Sequence, residues 1–153
     1  MLLHGLSTPM LHFIPVSFHY QVLGFRLRQA TALKAWVLAT ARQHNKSVGQ
    51  LTYIFVSDEA LLEMNRQHLQ HNYFTDIITF DLSEGGGMVG ELYISVDRVR
   101  ENAKTLGVSF IQEMRRVMVH GLLHLCGFRD KTGAETIAMR EAEDMALSAC
   151  SSK

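Results

Sequence analysis

The stretch from Val119 to Lys131 reads VHGLLHLCGFRDK and places two histidines, His120 and His124, four residues apart. Apolar residues surround them at helical spacing, so the pattern predicts that the histidines lie within a helix. Four helical residues turn through about 400°, so both imidazoles leave the same face, roughly 6 Å apart along the helix axis. Two imidazole nitrogens at that spacing can bind one metal ion, each at ~2.0–2.1 Å.

A glycine and an aspartate that follow the histidine pair favour a metal site. Gly127 can adopt the left-handed conformation that ends a helix and turns the chain back. Asp130 can then reach the open side of the ion, which gives the pattern H-x-x-x-H-x-x-G-x-x-D. Two neutral nitrogens and one carboxylate leave a fourth position for water, which is typical of catalytic zinc sites. The alternative is that His120 and His124 are hydrogen-bonded core residues, since histidines at this spacing also occur by chance.

Hydrophobic patterning outside this helix predicts an α+β domain. Ser109 with Gln112 forms a capping box before the histidine helix, and Thr132 with Glu135 forms another before a C-terminal helix. The other predicted helices cover 28–45, 58–69 and 97–107, and the predicted strands cover 11–20, 51–56, 77–82 and 91–95. Pro15 makes the first strand an edge or terminal strand. We therefore expect a single α+β domain in which a four-stranded sheet packs against about five helices.

The composition of the 153 residues, 47% of them hydrophobic, is that of one soluble globular domain. Fifteen Lys and Arg balance fifteen Asp and Glu, and this neutral total argues against the strongly basic nucleic-acid-binding class and the acidic disordered class. The charges are unevenly distributed, however. Residues 1–57 hold five cations and no acid, whereas residues 58–153 hold ten cations and fifteen acids. The first third of the chain is therefore basic.

The ends of the chain and its cysteines indicate a cytoplasmic protein. Residues 1–10, MLLHGLSTPM, lack the features of a signal peptide, so we expect a disordered lead, or a start at Met10, ahead of a domain over 11–153. Two cysteines are too few for a disulfide framework, which favours a reducing compartment. No stretch offers the ~20 consecutive apolar residues of a membrane span, so no membrane partner is expected.

Several motifs resemble those of the YbeY family of metal-dependent endoribonucleases. HGLLHLCGF, from His120 to Phe128, is similar to the family's H-G-x-L-H-L-x-G-Y. TDIITF, from Thr75 to Phe80, resembles T-D-V-L-S-F, and GELYIS, from Gly90 to Ser95, resembles G-D-I-x-I-S. The helix over 139–147 is similar to the family's closing helix. Because the motifs follow the family's order, residues 11–153 are identified as a YbeY-like domain. The resemblance implies that the four-stranded sheet is mixed.

This resemblance implies a single-strand-specific endoribonuclease in rRNA processing, notably at the 3′ end of the small-subunit rRNA, and in ribosome quality control. It implies one Zn²⁺ on His120 and His124, and as partners single-stranded or ribosomal RNA, the small ribosomal subunit and its assembly factors. The metal would polarise a phosphoryl oxygen and lower the pKa of its water, so the metal-bound water is the expected catalytic group. Manganese, cobalt and nickel stay open, because a carboxylate ligand loosens the preference for zinc.

The sequence departs from the family pattern at two positions. Where the family usually ends its motif with Asp-His, this chain has Arg129-Asp130, so the third expected ligand is the Asp130 carboxylate. A carboxylate lowers the positive charge of the site by one unit, so we expect its water to be less acidic than in a three-histidine site. Leu69 occupies the position at which the family typically has an arginine that faces the site and is thought to hold the phosphate.

Three cations are candidates to replace that arginine. Arg66 lies three residues earlier on the same predicted helix, although a solvated helix arginine is the alternative that its position favours. Arg129 and Lys131 flank the metal loop and could hold the phosphate instead. For the general base the candidate is Asp76, whose alternative role is to cap or hydrogen-bond the start of a strand.

The basic first third of the chain predicts part of an RNA-binding surface. Arg28, Lys34 and Arg42 belong to the predicted helix over 28–45, and Lys131 follows the metal helix. We expect these side chains to contact RNA phosphates, with an affinity that falls as salt rises.

Two other functions compete with the endoribonuclease interpretation. A zincin-like metalloprotease has a similar histidine spacing, but it needs a glutamate after the first histidine, where this chain has Gly121. The second is a non-catalytic, metal-containing ribosome assembly factor, which the leucine at position 69 favours.

Overall fold

Four β-strands and five α-helices follow one another in the computed structural model, which describes residues 14–150. The elements are β1 (Val16–Tyr20), α1 (Ala30–Gln43), β2 (Val48–Val56), α2 (Asp58–Leu69), β3 (Ile77–Asp81), β4 (Met88–Ser95), α3 (Val96–Leu106), α4 (Phe110–Leu125) and α5 (Gly133–Ala149). The predicted α+β class is confirmed. Within residues 14–150 no helix has the length and apolar character that crossing a bilayer requires.

Some predicted boundaries are wrong by a few residues. The first strand, predicted over 11–20, begins at Val16, and residues 11–13 lie outside the described part of the chain, as does the predicted lead over 1–10. The helix predicted over 28–45 begins at Ala30, because Gln29 has a left-handed backbone with φ of 57°.

Two strands begin earlier than their local patterns predict. β2 starts at Val48 and β4 at Met88, and these two residues are paired in the parallel ladder between the strands. The extra strand residues are thus stabilised by a partner forty residues away in the sequence, which the pattern of either segment alone does not reveal.

The sheet has the strand order β1-β2-β4-β3. β2 is parallel to both β1 and β4, and β3 is antiparallel to β4. The sheet is therefore mixed, as predicted, and β1 lies at one edge, as Pro15 indicates. β3 forms the other edge, and the candidate site lies beside it.

Helices cover both faces of the sheet. Alternate β2 residues point to opposite sides, so Tyr53 and Phe55 join the main core with α1, α4 and α5, while Ile54 and Val56 pack under Leu61 of α2. All five side chains are buried. The end of α2 and the C-terminal half of α4 therefore approach the β3 edge from opposite faces of the sheet.

α4 packs closely against the sheet at Gly121. A Cβ atom at this position would lie 2.6 Å from Ile77 Cδ1 and 2.7 Å from Leu92 Cδ2, so a larger residue would have to displace these side chains. One turn earlier, the Tyr53 hydroxyl donates a hydrogen bond to the Met118 carbonyl at 3.0 Å. These contacts fix the rotation of α4 and hence the direction in which its histidines point.

Candidate metal centre

The side chains of His120, His124 and Asp130 converge at the C-terminal end of α4. The two Nε2 atoms are 3.1 Å apart, and each lies 3.4 Å from Asp130 Oδ2. Ligands at ~2.0–2.1 Å in a tetrahedron around zinc are themselves about 3.3 Å apart. The three atoms thus have the spacing of one face of a tetrahedral site. This is the group predicted from the sequence, and its side chains are available to hold a metal ion.

A glycine turn brings Asp130 to the histidines. Gly127 has φ of 104°, as the sequence predicts, and the next residue, Phe128, donates its backbone N–H to the Leu123 carbonyl at 3.0 Å. The same turn places the Phe128 carbonyl 3.0 Å from His124 Nδ1. Because a carbonyl can only accept, this contact puts the proton on Nδ1 and leaves the Nε2 lone pair free for a metal.

A buried carboxylate performs the same task for the other histidine. His120 Nδ1 lies 2.8 Å from Oε2 of Glu143, whose side chain on α5 is 7% exposed. Histidines that bind metals generally donate their other ring N–H to such an acceptor, which fixes the ring and its tautomer. Both imidazoles are therefore held with Nε2 towards the Asp130 carboxylate.

Arg116 compensates the buried acids. Its guanidinium forms an ion pair with Glu113, whose side chain is 1% exposed, and lies 3.5 Å from Glu143 Oε1 and 3.9 Å from Asp76 Oδ2. The hydrogen bond to Glu113 raises the pKa of Arg116, so the guanidinium keeps its charge. Because buried charges are costly without partners, this ion pairing offsets the cost of burying the Glu143 carboxylate behind His120.

The pKa values of Asp76 and His120 are both raised, the first by burial and the second by nearby acids. Burial raises the pKa of the Asp76 carboxyl, although the charges of Arg116 and His120 act in the opposite direction. Burial lowers the pKa of His120, but the hydrogen bond and charge of Glu143, together with Asp76 and Asp130, outweigh it, so the pKa is raised. In the described part of the site three carboxylates lie within 4 Å of the Arg116 guanidinium, and the Asp130 carboxylate lies beside the two histidines. Four carboxylates and one guanidinium leave an excess of negative charge that a cation would offset.

The donor set fits a divalent transition metal. Two neutral imidazole nitrogens and one carboxylate oxygen are ligands that zinc accepts, and manganese, cobalt and nickel accept them too. Cys126 is not part of this group. Burial raises the pKa of the Cys126 thiol to about 11, so the thiol is protonated near neutral pH in the metal-free protein.

A cavity of about 630 Å³ opens beside the three ligand atoms. One wall of it, the histidine wall, consists of His120, His124 and Asp130. A second wall, the loop wall, comes from the end of α2 and the segment after it and consists of Asn65, Leu69, His71, Tyr73 and Thr75. Asp76 and residues of β3 line the space between these walls.

The predicted phosphate-binding cations lie outside this cavity. Arg66 instead donates from Nε to Asn72 Oδ1 at 2.7 Å, and Arg129 and Lys131 are exposed on the loop that carries Asp130. Leu69 does line the cavity and is 42% exposed. Among the described residues that line the cavity there is no lysine or arginine.

The basic residues predicted for RNA binding also lie elsewhere. Lys34 is half-buried on α1, and its Nζ is 5.3 Å from the centre of the Phe18 ring of β1. Arg28 and Arg42 border two other surface grooves at the opposite ends of α1. The structure therefore does not bring these three cations together with the histidine wall, and their role in RNA binding stays a prediction.

Sequence reasoning missed Glu113, Arg116 and Glu143, which hold the site from behind. A signal for one of them exists in the pattern. Glu143 follows Ala142 and precedes Ala146 on the buried face of α5, and an acid on an apolar helix face requires a partner. That partner, His120, is 23 residues away, so only the packing of α5 on α4 identifies it.

The chain is similar to known proteins over most of its length. The family model described as Endoribonuclease YbeY matches residues 22–151. A protein described as Endoribonuclease YbeY from Flavobacterium psychrophilum is 46% identical over 132 residues, which cover 86% of this chain and 94% of the relative. One with the same description from Parabacteroides distasonis is 49% identical over 116 residues, which cover 76% of this chain and 82% of the relative.

A solved structure agrees with these matches. The solution structure of a protein from Thermotoga maritima has a TM-score of 0.62 to this chain at 26% sequence identity, and the match covers 88% of each chain. The family model spans well over half of the chain, and the relatives above are aligned over at least three quarters of it. This chain therefore belongs to the YbeY family of endoribonucleases.

Proposed function

We propose that this protein is a single-strand-specific, metal-dependent endoribonuclease that acts in rRNA processing, at the 3′ end of the small-subunit rRNA, and in ribosome quality control. Its family supports nuclease activity. The observation that carries the proposal is the convergence of His120 Nε2, His124 Nε2 and Asp130 Oδ2 within 3.4 Å of one another beside a cavity. The proposal places the protein in the cytoplasm, with the small ribosomal subunit and its assembly factors as partners.

In this proposal His120, His124 and Asp130 hold one Zn²⁺, or another divalent transition metal that suits the same donors. When bound, such an ion polarises a phosphoryl oxygen and makes water a stronger nucleophile at neutral pH. Glu143 and the Phe128 carbonyl keep the imidazole rings oriented, so the ligands need little rearrangement when the ion binds.

Asp76 is the proposed proton acceptor. Its carboxylate lines the cavity, and it is held by Asn102 Nδ2, which donates to Oδ2 at 3.2 Å, and by Arg116 at 3.9 Å. The raised pKa of Asp76 makes it a stronger base than an ordinary aspartate, as a group that takes a proton near neutral pH must be.

The acids around the site make the metal necessary for substrate binding as well as for cleavage. Without a cation, the carboxylates would repel an RNA phosphate, and no lysine or arginine among the described residues lines the cavity. Arg129 and Lys131, exposed beside Asp130, are the proposed auxiliary phosphate contacts. Arg66 could take part only if its side chain released Asn72.

Cleavage of end-labelled RNA tests the proposal. The metal-loaded protein should cut a single-stranded RNA internally and leave the matching duplex intact, and chelation should abolish cleavage until zinc or manganese is restored. His124→Ala should lower the rate and the metal affinity by more than about 100-fold, because it removes a ligand outright. His68→Ala is the matched control, since His68 is exposed and does not line the cavity. Equal residual rates for wild type and His124→Ala would identify a contaminating nuclease and overturn the proposal.

A non-catalytic assembly factor is the second candidate, because Leu69 lines the cavity at the position where the family resemblance places an arginine. In that case the protein would bind metal and the small ribosomal subunit, but single-turnover cleavage would stay at background.

The structure gives a reason to reject the metalloprotease alternative. A protease base at position 121 would have to face the histidines, but a side chain at this position would point at Ile77, Thr79 and Leu92 of the sheet. Casein hydrolysis that is lost in His120→Ala would contradict this conclusion.

A further inference from the structure

The loop wall presents an aromatic pair to the cavity. The rings of His71 and Tyr73 are stacked, with centroids 5.0 Å apart and planes 20° from parallel. Both residues are exposed, Tyr73 at 56%, and both line the cavity that the metal ligands also line. Large exposed aromatic surface is unfavourable in water, so its presence inside a polar cleft indicates a surface that a ligand covers.

Hydrogen bonds hold this pair in place before any ligand arrives. The Tyr73 hydroxyl lies 2.9 Å from His71 Nδ1, which locks the two rings to each other. Asn65, which is only 1% exposed, donates from Nδ2 to the Tyr73 carbonyl at 2.8 Å, and its backbone carbonyl accepts from the His71 N–H at 3.0 Å. The backbone at both ends of the pair is thus tied to α2. A rigid aromatic surface of this kind loses little entropy when a flat ligand stacks on it.

We propose that His71 and Tyr73 form a binding site for one unpaired nucleobase next to the phosphate that is cut. This inference rests on the proposed function and names a subsite for its substrate. Every base has a π face, and stacking on aromatic side chains is how proteins commonly bind single strands without reading their sequence. In a duplex the faces of each base are covered by its neighbours, so this site selects unpaired RNA.

The same site accounts for the leucine at position 69. Leu69 lines the same cavity as Tyr73 and adds apolar surface on which a base can rest, whereas a leucine cannot hold a phosphate. The loop wall of this chain therefore binds the substrate through its base, and the histidine wall binds it through its phosphate.

An additional metal ligand or base is the other role that His71 could take. Its Nδ1 is already engaged by the Tyr73 hydroxyl, and the donor group found among the described residues consists of His120, His124 and Asp130. A base that stacks on His71 contacts the face of the ring and leaves its hydrogen bond with Tyr73 intact. Stacking is therefore the role of His71 that agrees with the observed contacts.

The neighbouring Phe74 provides a matched control. It is 48% exposed, close to the exposure of Tyr73, but the Arg98 guanidinium covers its ring at 4.9 Å and it does not line the cavity. Phe74→Leu and Tyr73→Leu therefore remove one exposed aromatic ring each, only one of which faces the metal site.

Stopped-flow fluorescence with a short single-stranded RNA that contains 2-aminopurine tests the site, since stacking quenches this base before cleavage begins. With metal-loaded wild type and Tyr73→Phe we expect quenching. Tyr73→Leu should abolish the quenching and raise Kd and KM by about 5- to 100-fold, the range expected when one stacked ring is removed. Its kcat should change less than about threefold, because stacking is made equally in the ground and transition states. Phe74→Leu should match wild type in every value.

The outcomes separate this inference from the proposed function. Quenching by Tyr73→Leu equal to that of wild type, or an equal loss in Phe74→Leu, would overturn the base site even if the protein cleaves RNA. Quenching that depends on Tyr73 in a protein that never cleaves would support the base site and overturn the nuclease. Circular dichroism and metal content of Tyr73→Leu, both expected to equal wild type, show that the variant is folded and loaded.

Discussion

The histidine wall and the loop wall of the same cavity are built in different ways. On the histidine wall, the side chains of His120 and His124 are 21% and 32% exposed, and each has a hydrogen-bond acceptor behind it. On the loop wall, Leu69 and Tyr73 are 42% and 56% exposed, and the chain between α2 and β3 has no regular secondary structure. One wall is thus fixed by buried charges, and the other is a surface whose shape depends on a short loop.

This difference assigns a separate task to each wall. A metal site requires ligand atoms held to within fractions of an ångström, which buried ion pairs supply. A surface that accepts any RNA base needs only a fixed plane and access from solvent. Substitutions behind the histidine wall should therefore change stability and metal affinity, while substitutions on the loop wall should change KM and leave the fold intact.

The largest effect should come from Arg116→Met. Without the guanidinium, Glu113 and Glu143 remain buried with no countercharge, which should cost about 3–5 kcal/mol of the free energy of unfolding. Leu69→Ala on the loop wall should stay within about 0.5 kcal/mol of wild type. Urea denaturation of the metal-free proteins measures both. A loss below about 1 kcal/mol for Arg116→Met would mean that buried ion pairs do not hold the histidine wall.

Glu143→Gln should act on the metal more than on the fold. Losing the charged acceptor behind His120 should weaken metal binding by about 10- to 100-fold in calorimetry. Glu141→Gln is the control, since Glu141 is exposed on the same helix. Equal affinities for the two variants would contradict the role of Glu143 in orienting the ligand.

The same substitution should lower the pKa of His120 in the metal-free protein, because Glu143 is the main group that raises it. A raised histidine pKa stabilises the metal-free fold at pH below the unfolded value near 6.5, and this contribution is lost as pH rises through the folded pKa. Metal binding has the opposite dependence, since protons compete for the same nitrogen. An NMR titration of His120 in both proteins should show the decrease.

Leu69→Arg should make the loop wall bind phosphate. A guanidinium at this partly exposed position would contribute one charged hydrogen bond to the substrate, worth an increase of about 5- to 10-fold in kcat/KM after allowance for solvent. Leu69→Gln introduces a polar side chain nearly as long as arginine but without the charge, and it should give no increase in kcat/KM. If Leu69→Arg instead weakens RNA binding, the apolar contact of Leu69 with a base matters more than an added cation.

Asp130→His tests the charge of the histidine wall at constant ligand number. Replacing a carboxylate by a neutral imidazole adds one positive charge to the loaded site, so the acid limb of the pH–rate profile should move to lower pH, by roughly one unit. Asp130→Ala should lose metal rather than shift the profile. A profile that does not move towards acid in Asp130→His would remove Asp130 from the set of ligands.

The part of the metal site that could be predicted from the sequence depends on local geometry alone. His120, His124 and the glycine turn lie within eight residues, so helical spacing and the conformation of Gly127 were enough to predict them and to bring Asp130 into reach. Glu143 belongs to another helix, and its contact with His120 depends on how α5 packs on α4. No periodicity within either helix contains that information.

The loop wall was hidden from the sequence for a different reason. Residues 70–76 form neither helix nor strand, so no repeating pattern indicates which side chains face the site. Nothing in the sequence joins His71 to Tyr73, so neither the stack of the two rings nor their position in the cavity could be predicted from it. The loop is held by Asn65, a buried polar residue near the end of α2, whose side chain donates a hydrogen bond to the Tyr73 carbonyl.

The smallest effect is expected outside both walls, in the variant Arg28→Ala/Lys34→Ala/Arg42→Ala. These cations do not line the cavity, so they can act only on more distant phosphates of the RNA. We expect Kd to rise less than about threefold at ~0.15 M salt, and the slope of log K against log salt to become shallower by roughly 0.7 for each phosphate that is no longer neutralised. The kcat should not change, and Arg140→Ala on α5 serves as an exposed control. A loss as large as that of Tyr73→Leu would place the main RNA contacts on α1 rather than on the loop wall. Binding that does not depend on salt would remove α1 from the RNA surface altogether.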